Sequence, residues 1–352
     1  MNQINQMKKH ELTPGYEISP VIKGGWQLSA GHSLTTSIEA DQAVADTVAF
    51  VEAGISTLDF GDIYTGVEEL IGKAIKELAV RNGGTARSMV QLHTKYVPNE
   101  KFLHDFDRTD VATIVERSLT RLGVEQVDLV QFHWWKYEAK NYLAAMEELF
   151  KLKEAGKIGH VGITNFDLPR VKEFVQAGLA PASIQLQYSI LDRRPENGLV
   201  QYCIENNIGI LCYGTVAGGF FSEKYLGIAE PSTAETRSSI KYQLVIEEFG
   251  SWELFQELLQ ALKDIADAHA TDIGTIASAY ILNQPGVKGV IIGARNISHL
   301  KSNLQIDSIK FSEAELMIIR NIIGKSSGPN GDVYELERNS EKHRSIMHTN
   351  NN

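Results

Sequence analysis

Eight short apolar runs recur along the chain, and segments with helical character separate them. The runs are VIKGG (21–25), ISTLDF (55–60), SMVQLHTKY (88–96), QVDLVQFHWW (126–135), KIGHVGITNF (157–166), ASIQLQYS (182–189), NIGILCYG (207–214) and VKGVIIG (287–293). Residues 41–54, 109–123 and 142–154 read as helices between them, as does the stretch from Val67. In that stretch Val67, Leu70, Ile71, Ala74, Ile75 and Leu78 share one face of a 3.6-residue period. Asp167, ahead of Leu168 and Pro169, marks another helix start: its carboxylate caps free N–H groups, and proline fits the first turn. Strands this short and this continuously apolar are buried on both faces, as in a parallel sheet covered by helices. Eight such repeats predict an α/β chain folded as a single-domain (β/α)8 TIM barrel. A doubly wound open sheet is the competing arrangement. It usually has fewer strands and a glycine-rich loop after the first, and no GxGxxG follows residues 21–25.

Three segments fall outside the repeat. Residues 1–14 are polar and expected to be a flexible N-terminal segment ahead of a barrel spanning 15–325, and 326–352 form a C-terminal tail. The connection 215–250 after the seventh strand is longer than usual, which marks it as functional or mobile. Helices are expected at 252–269 and 273–282.

The charge narrows the partners. With 34 basic and 44 acidic residues the chain carries a net −10 and has no basic block. That argues against nucleic acid or an anionic membrane as partner. No apolar run is long enough to cross a bilayer, and MNQINQMKKHEL lacks the apolar core of a signal peptide. Cys203 and Cys212 are too few for a disulfide framework, so a reducing, cytoplasmic setting is expected. The sequence sets no oligomeric state.

Four polar residues recur at one address, the carboxyl end of a strand or the loop after it: Asp59, Tyr64, Lys95 and His133. In a barrel the second, third and fourth strand ends are neighbours, so these groups converge where ligands bind. Their chemistry fits carbonyl reduction. Adding hydride to a carbonyl creates an alkoxide, which needs a proton and a stabilising dipole. A phenol can give the proton, and a nearby ammonium makes it a better acid. Lys95 can supply that charge, Asp59 can hold Lys95 in place, and His133 can donate to the carbonyl oxygen. His133 with Asp59 also raises a metal-dependent hydrolase, but the His-x-His spacing of such sites is absent and no metal is expected.

The stretch TLDFGDIYTGVEELIG (57–72), with Lys95 and His133 behind it, resembles the aldo-keto reductases, a barrel family in which the Asp and Tyr belong to a catalytic tetrad. The resemblance covers about residues 15–325. It implies that Asp59, Tyr64, Lys95 and His133 are the catalytic set and that NADPH is the cofactor. GITNF (162–166) is similar to the family's Gly-x-Ser-Asn-Phe segment, with Thr164 for the usual Ser. By that resemblance Thr164, Asn165 and Gln185 grip the nicotinamide carboxamide, with Gln187 as the alternative to Gln185, and Tyr213 stacks on the ring. FFSEKY (220–225), behind Gly218 and Gly219, resembles the loop that folds over the pyrophosphate. In GARNISHLKSN (293–303), Arg295 stands where the family holds the 2′-phosphate, and His299 and Asn303 match positions that contact the 2′-phosphate and adenine. Arg295 and His299 replace the Ser and Gln often found there, and an arginine favours NADPH over NADH. Gly25, Trp26, Gly214 and Gly293, at the ends of the first, seventh and eighth strands, complete the expected cofactor site.

For the substrate, a small carbonyl compound with an apolar body, Trp26, Tyr64, His133 and Trp134 are expected to line the mouth, with Trp135 in packing. The family also places the long loop and the tail over that mouth. An alternative is an NADPH-holding redox sensor or ancillary partner protein with slow turnover.

Overall fold

The computed structural model describes residues 7–29, 39–84, 86–233 and 236–346. Ten strands are present among them: β1 (His10–Thr13), β2 (Tyr16–Ile18), β3 (Val21–Gly24), β4 (Thr57–Asp59), β5 (Gln91–Tyr96), β6 (Val127–Phe132), β7 (Ile158–Thr164), β8 (Ser183–Gln187), β9 (Gly209–Tyr213) and β10 (Val287–Gly293). Strands β3 to β10 form a closed, parallel barrel in sequence order, and β10 pairs with both β9 and β3. Each apolar run is a barrel strand because both its faces are covered: one by the barrel interior, the other by the helices outside. The expected (β/α)8 architecture is therefore the one observed.

Helix ends follow local chemistry. Asp107 caps the helix Arg108–Leu122 by accepting the Thr109 N–H at 2.9 Å, and Gly123 closes it at φ 69°. Asp167 caps Leu168–Gln176 through the Arg170 N–H at 3.0 Å. Cys203 and Cys212 are both free and buried, and burial pushes the Cys203 thiol up to about 12.

Three segments differ from expectation. From His10 the N-terminal segment is not loose: β1 and β2 make an antiparallel hairpin under the barrel. Its Leu12 and Ile18 pack with Ile22, Leu129, Leu211 and Ile291, so the hairpin plugs the floor with apolar side chains. Tyr16 adds a hydrogen bond at 2.9 Å to His93 inside the barrel and stacks on His160 with centroids 4.6 Å apart. Residues 1–6 of that segment lie outside the described residues. The second difference is in the long connection, where Arg237–Phe249 is a helix opened by a Thr236–Ser239 capping box. Third, Ser88 and Met89 belong to a helical turn, Ala86–Met89, and β5 begins only at Gln91.

The tail crosses the mouth of the barrel. Glu337 is its anchor: it pairs with Arg194 at 3.3 Å and with Lys241 at 3.2 Å, and Arg194 pairs with Asp192 at 2.7 Å. Burial alone would raise the Glu337 carboxyl, but the Lys241 and Arg194 charges outweigh it and hold it at about 2. A buried cluster of this kind is a poor source of net stability but a strong specifier of place. Every member has a partner only when the tail lies in this one position.

Gly209 in β9 shows how closely the floor plug fits. A Cβ there would sit 2.7 Å from the Leu12 carbonyl oxygen, a backbone atom that cannot swing aside. Gly209→Ala is expected to lower the unfolding free energy by about 1–3 kcal/mol through overpacking, read as a fall in the denaturant midpoint. An unchanged midpoint would mean that the hairpin yields at no cost.

Candidate active site

Strand register brings the four polar residues together. Asp59 is the last residue of β4, and Lys95 lies one residue from the end of β5, paired with Gln131 of β6. His133 follows β6, and Tyr64 lies in the turn before the helix Val67–Arg81. Lys95 Nζ donates to Asp59 Oδ1 at 2.6 Å and to the Phe60 carbonyl at 2.7 Å. Both side chains are nearly sealed from solvent, at 6% and 4% exposure. The Lys95 ammonium also lies 5.0 Å from the centroid of the Tyr64 ring. The other Asp59 oxygen accepts from Gln131 at 2.7 Å and from Gln185 at 2.6 Å. Gly61 lets the loop pass over the Lys95 stem, since a Cβ there would meet that side chain at 3.3 Å.

The electrostatics follow from burial and these partners. Burial works to lower the Lys95 pKa, but Asp59 and Tyr64 overcome it, so the group stands above its ordinary value and stays an ammonium. Burial raises the Tyr64 phenol, and the Lys95 charge offsets only part of that rise. The phenol therefore keeps its proton at neutral pH, next to a cation that stabilises the phenolate once the proton leaves. His133 is held down to about 3, first by burial and then by the Arg338 charge, and its Nδ1 lies 3.3 Å from the Thr164 carbonyl. A neutral imidazole has one proton for two nitrogens. Its Nε2 is buried and has no partner among the described residues, so a ligand oxygen there can compete for that proton.

A cavity opens above these groups, bordered by Asp59, Tyr64, Lys95 and His133 themselves. On one side lie Thr164, Asn165, Gln185 and Tyr213, with Gly214, Gly218, Gly293 and Trp26 at the rim. The Tyr213 hydroxyl donates to Asn165 Oδ1 at 2.8 Å, which fixes that ring against the polar group. Gln187 instead donates to Asp192 at 2.7 Å and does not border the cavity, which separates it from Gln185. Gly214 combines φ 81° with a Tyr242 hydroxyl 2.2 Å from where a Cβ would be, so the strand can end there only as glycine. Gly25 is not a rim residue. Its N–H donates to Asp59 O at 2.7 Å, and a Cβ would press on Val67, so it serves the contact between the first two strand ends. Arg295, His299 and Asn303 lie beyond β10 and do not border this cavity; Arg295 and His299 are exposed.

The two tryptophans exchange their expected places. Trp134 is fully buried, its indole N–H donates to Ala139 O at 2.7 Å, and it packs edge-on against Phe132 and Phe106. Trp135 borders the cavity, 4.4 Å from His133 and perpendicular to it. The cause is strand parity, which persists past the end of β6. Gln131, His133 and Trp135 face inward, while Phe132 and Trp134 face the helices.

Several cavity residues were not expected. Tyr334 of the tail lies edge-on to His133, 5.5 Å between centroids, and adopts φ 61°, a conformation unusual for a bulky side chain. Lys241 and Tyr242 come from the helix Arg237–Phe249, and Ile346 from the tail. Gln131 could have been found from its place two residues before His133 on one strand face. The tail residues gave no such signal. Among the described residues, no three His, Cys, Asp or Glu side chains are grouped to hold a metal ion, and no helix is long and apolar enough to cross a membrane.

With this geometry in view, comparison with known proteins is specific. A model described as the aldo/keto reductase family matches residues 20–323. The uncharacterized oxidoreductase YqkF of Bacillus subtilis strain 168 is 29% identical over 343 residues, covering 94% of this chain and 100% of that protein. An NADH-specific methylglyoxal reductase of Escherichia coli K12 is 24% identical, covering 89% of this chain and 98% of that one. An aldo-keto reductase of Klebsiella pneumoniae, solved in complex with NADPH, matches with a TM-score of 0.69 at 20% identity, over 92% and 97% of the two chains. At that identity the likeness is one of fold.

The buried histidines make stability depend on pH. An ordinary histidine titrates near 6.5, whereas burial holds both His93 and His133 at about 3. Between those values the unfolded chain binds protons that the folded chain excludes, so stability falls as pH falls through the window. Against this, burial raises the Asp62 carboxyl to about 8, which adds stability as pH falls, so the histidine contribution is read by difference: from about pH 7 to about pH 5 the midpoint of His93→Gln should rise relative to that of wild type. A difference between the two proteins that does not change with pH would contradict the burial of His93 as a neutral ring.

Proposed function

The chain belongs to the aldo/keto reductase family, and on that premise we propose that it reduces an aldehyde or ketone to the alcohol with NADPH, Tyr64 giving the proton. The observation that carries the reading is the sealed Lys95–Asp59 pair at 2.6 Å beside the Tyr64 ring. A charge that costly to bury is kept where it lowers the cost of removing a phenolic proton.

The residues on the cavity wall suit the cofactor. Tyr213 offers an aromatic face, and Thr164, Asn165 and Gln185 offer donors and acceptors for a carboxamide. Relatives use both nicotinamide cofactors, NADH in the Escherichia coli enzyme and NADPH in the Klebsiella complex. Arg295, beside the helical start at Ile297, favours the phosphorylated form, because a guanidinium can make paired bonds to a phosphate.

When bound, NADPH supplies the hydride that the carbonyl carbon takes. As that C–H bond forms, the carbonyl π pair moves to oxygen, which takes the proton from the Tyr64 hydroxyl. Lys95 stabilises the phenolate left behind, and Asp59 keeps Lys95 charged and aimed. With its one proton on Nε2, in place of the 3.3 Å Nδ1 contact to the Thr164 carbonyl, His133 donates a hydrogen bond to the same oxygen. Trp26, Trp135 and Tyr334, with Ile63, Val97 and Ile346, give the wall an aromatic and aliphatic portion, beside the polar Gln27, Arg237, Ser238 and Lys241. That wall suits a carbonyl compound with an apolar body and keeps water from the reacting atoms.

A panel of carbonyl compounds, followed by loss of NADPH absorbance with NADH in parallel, tests the reading. Tyr64→Phe should lower the rate on the best substrate by about 10²–10⁴-fold, the usual contribution of a positioned acid, and still bind NADPH. Full activity in that variant would remove Tyr64 from the role.

A further inference from the structure

The tail brings a guanidinium into the gap between two loops of the site. Arg338, in the short helix Glu335–Asn339, donates from Nη1 to the Asn165 carbonyl at 2.9 Å and from Nη2 to the Trp134 carbonyl at 3.0 Å. Trp134 follows His133, and Asn165 follows Thr164. One rigid planar group therefore bridges the loop after β6 to the loop after β7. The guanidinium carbon lies 4.1 Å from the Tyr137 ring centroid and 5.1 Å from that of Tyr334, which limits its movement. Each of its terminal nitrogens thus serves one of these two carbonyls.

Asn165 and the residue ahead of Trp134 are already held by neighbouring strands. The Asn165 N–H donates to Gln185 O at 2.9 Å, and its backbone takes the left-handed value φ 63°. The His133 N–H donates to Tyr96 O at 3.0 Å. β6 and β7 pair as far as Phe132 and Ile163; past that point the loops are joined by the 3.3 Å contact of His133 Nδ1 with the Thr164 carbonyl and by the Asp167 N–H donating to the Tyr137 hydroxyl at 3.2 Å, and Arg338 adds a further link that touches both backbones at once.

We propose that Arg338 is a positioning residue: it sets the separation between His133, which orients the substrate carbonyl, and Asn165, which orients the cofactor. This rests on the carbonyl-reductase reading above. Hydride transfer depends on that separation, because a misplacement of about 1 Å can cost about 100-fold in rate. The tail is thus part of the machinery through a residue that touches neither reactant. Lysine cannot replace it, because an ammonium on a flexible stem lacks the flat fork that reaches two carbonyls at once.

The test uses the full chain, saturating NADPH and a carbonyl compound that the wild type reduces. Arg338→Ala should lower kcat by about 10–100-fold, while KM and NADPH binding, followed by nicotinamide fluorescence, change by less than about threefold. Arg338→Lys should stay nearer to the alanine variant than to wild type. Millimolar guanidinium ion should restore part of the alanine variant's kcat. The proposal is overturned if Arg338→Ala keeps wild-type kcat, or if Arg338→Lys recovers it fully, since charge alone would then suffice. It is also overturned if the loss appears only as weaker NADPH binding with a lower melting temperature, since that marks a structural role. If the wild type oxidises NADPH with no compound in the panel, the reductase reading fails and the proposal with it. An active wild type with an unaffected Arg338→Ala removes the proposal alone.

Discussion

The buried pair of Lys95 and Asp59 is the interaction that the rest of the structure serves. Removing an ammonium and a carboxylate from water costs several kcal/mol per ion, and their attraction offsets this only when other hydrogen bonds are satisfied. Here they are. Asp59 accepts from Lys95, Gln131 and Gln185, and Lys95 donates to Asp59 and to the Phe60 carbonyl. The contributors come from β4, β5, β6 and β8, so half the barrel must close correctly before the pair is stable. Gln185 lies 126 residues from Asp59 in sequence. A pair so demanding in geometry gives up stability for a fixed charge next to Tyr64.

The scaffold divides the work between its two ends. The amino-terminal floor is sealed by the hairpin and carries Tyr16, His93 and apolar packing. The opposite end holds the strand exits, and two later segments of the chain wall it in. One is the helix Arg237–Phe249, which brings Lys241 and Tyr242; the other is the tail, which brings Tyr334, Arg338 and Ile346. Glu337 joins them by pairing with both Lys241 and Arg194. The positive φ of Tyr334 is tolerated because Arg194 holds the chain on both sides of it, at the Asp332 carbonyl and at Glu337.

Much of this was legible in the sequence, for physical reasons that can be named. Strands buried on both faces are continuously apolar, so their number and order could be counted. Asp59, Lys95 and His133 stand out because charged or polar groups interrupt those runs at one end. Resemblance alone puts Trp134 at the mouth, whereas strand parity decides otherwise: counting on from Gln131 and His133 puts Trp135 on the cavity side. The helix Arg237–Phe249 was not expected, although Tyr242, Val245, Ile246 and Phe249 follow the 3.6-residue period and carry the signal for it. The hairpin was not, because Leu12 and Ile18 are too few to signal strands so short. The tail contacts were not either: Glu337 finds Arg194 across 143 residues, and no local pattern encodes such a pairing.

The account turns on the Lys95 ammonium easing the loss of the Tyr64 proton. The most direct measurement is the single-turnover rate of NADPH oxidation by Lys95→Met, with cofactor binding measured alongside. The account predicts binding within several-fold of wild type and a rate reduced by about 100-fold or more. A rate equal to wild type, with the cofactor bound, would contradict it.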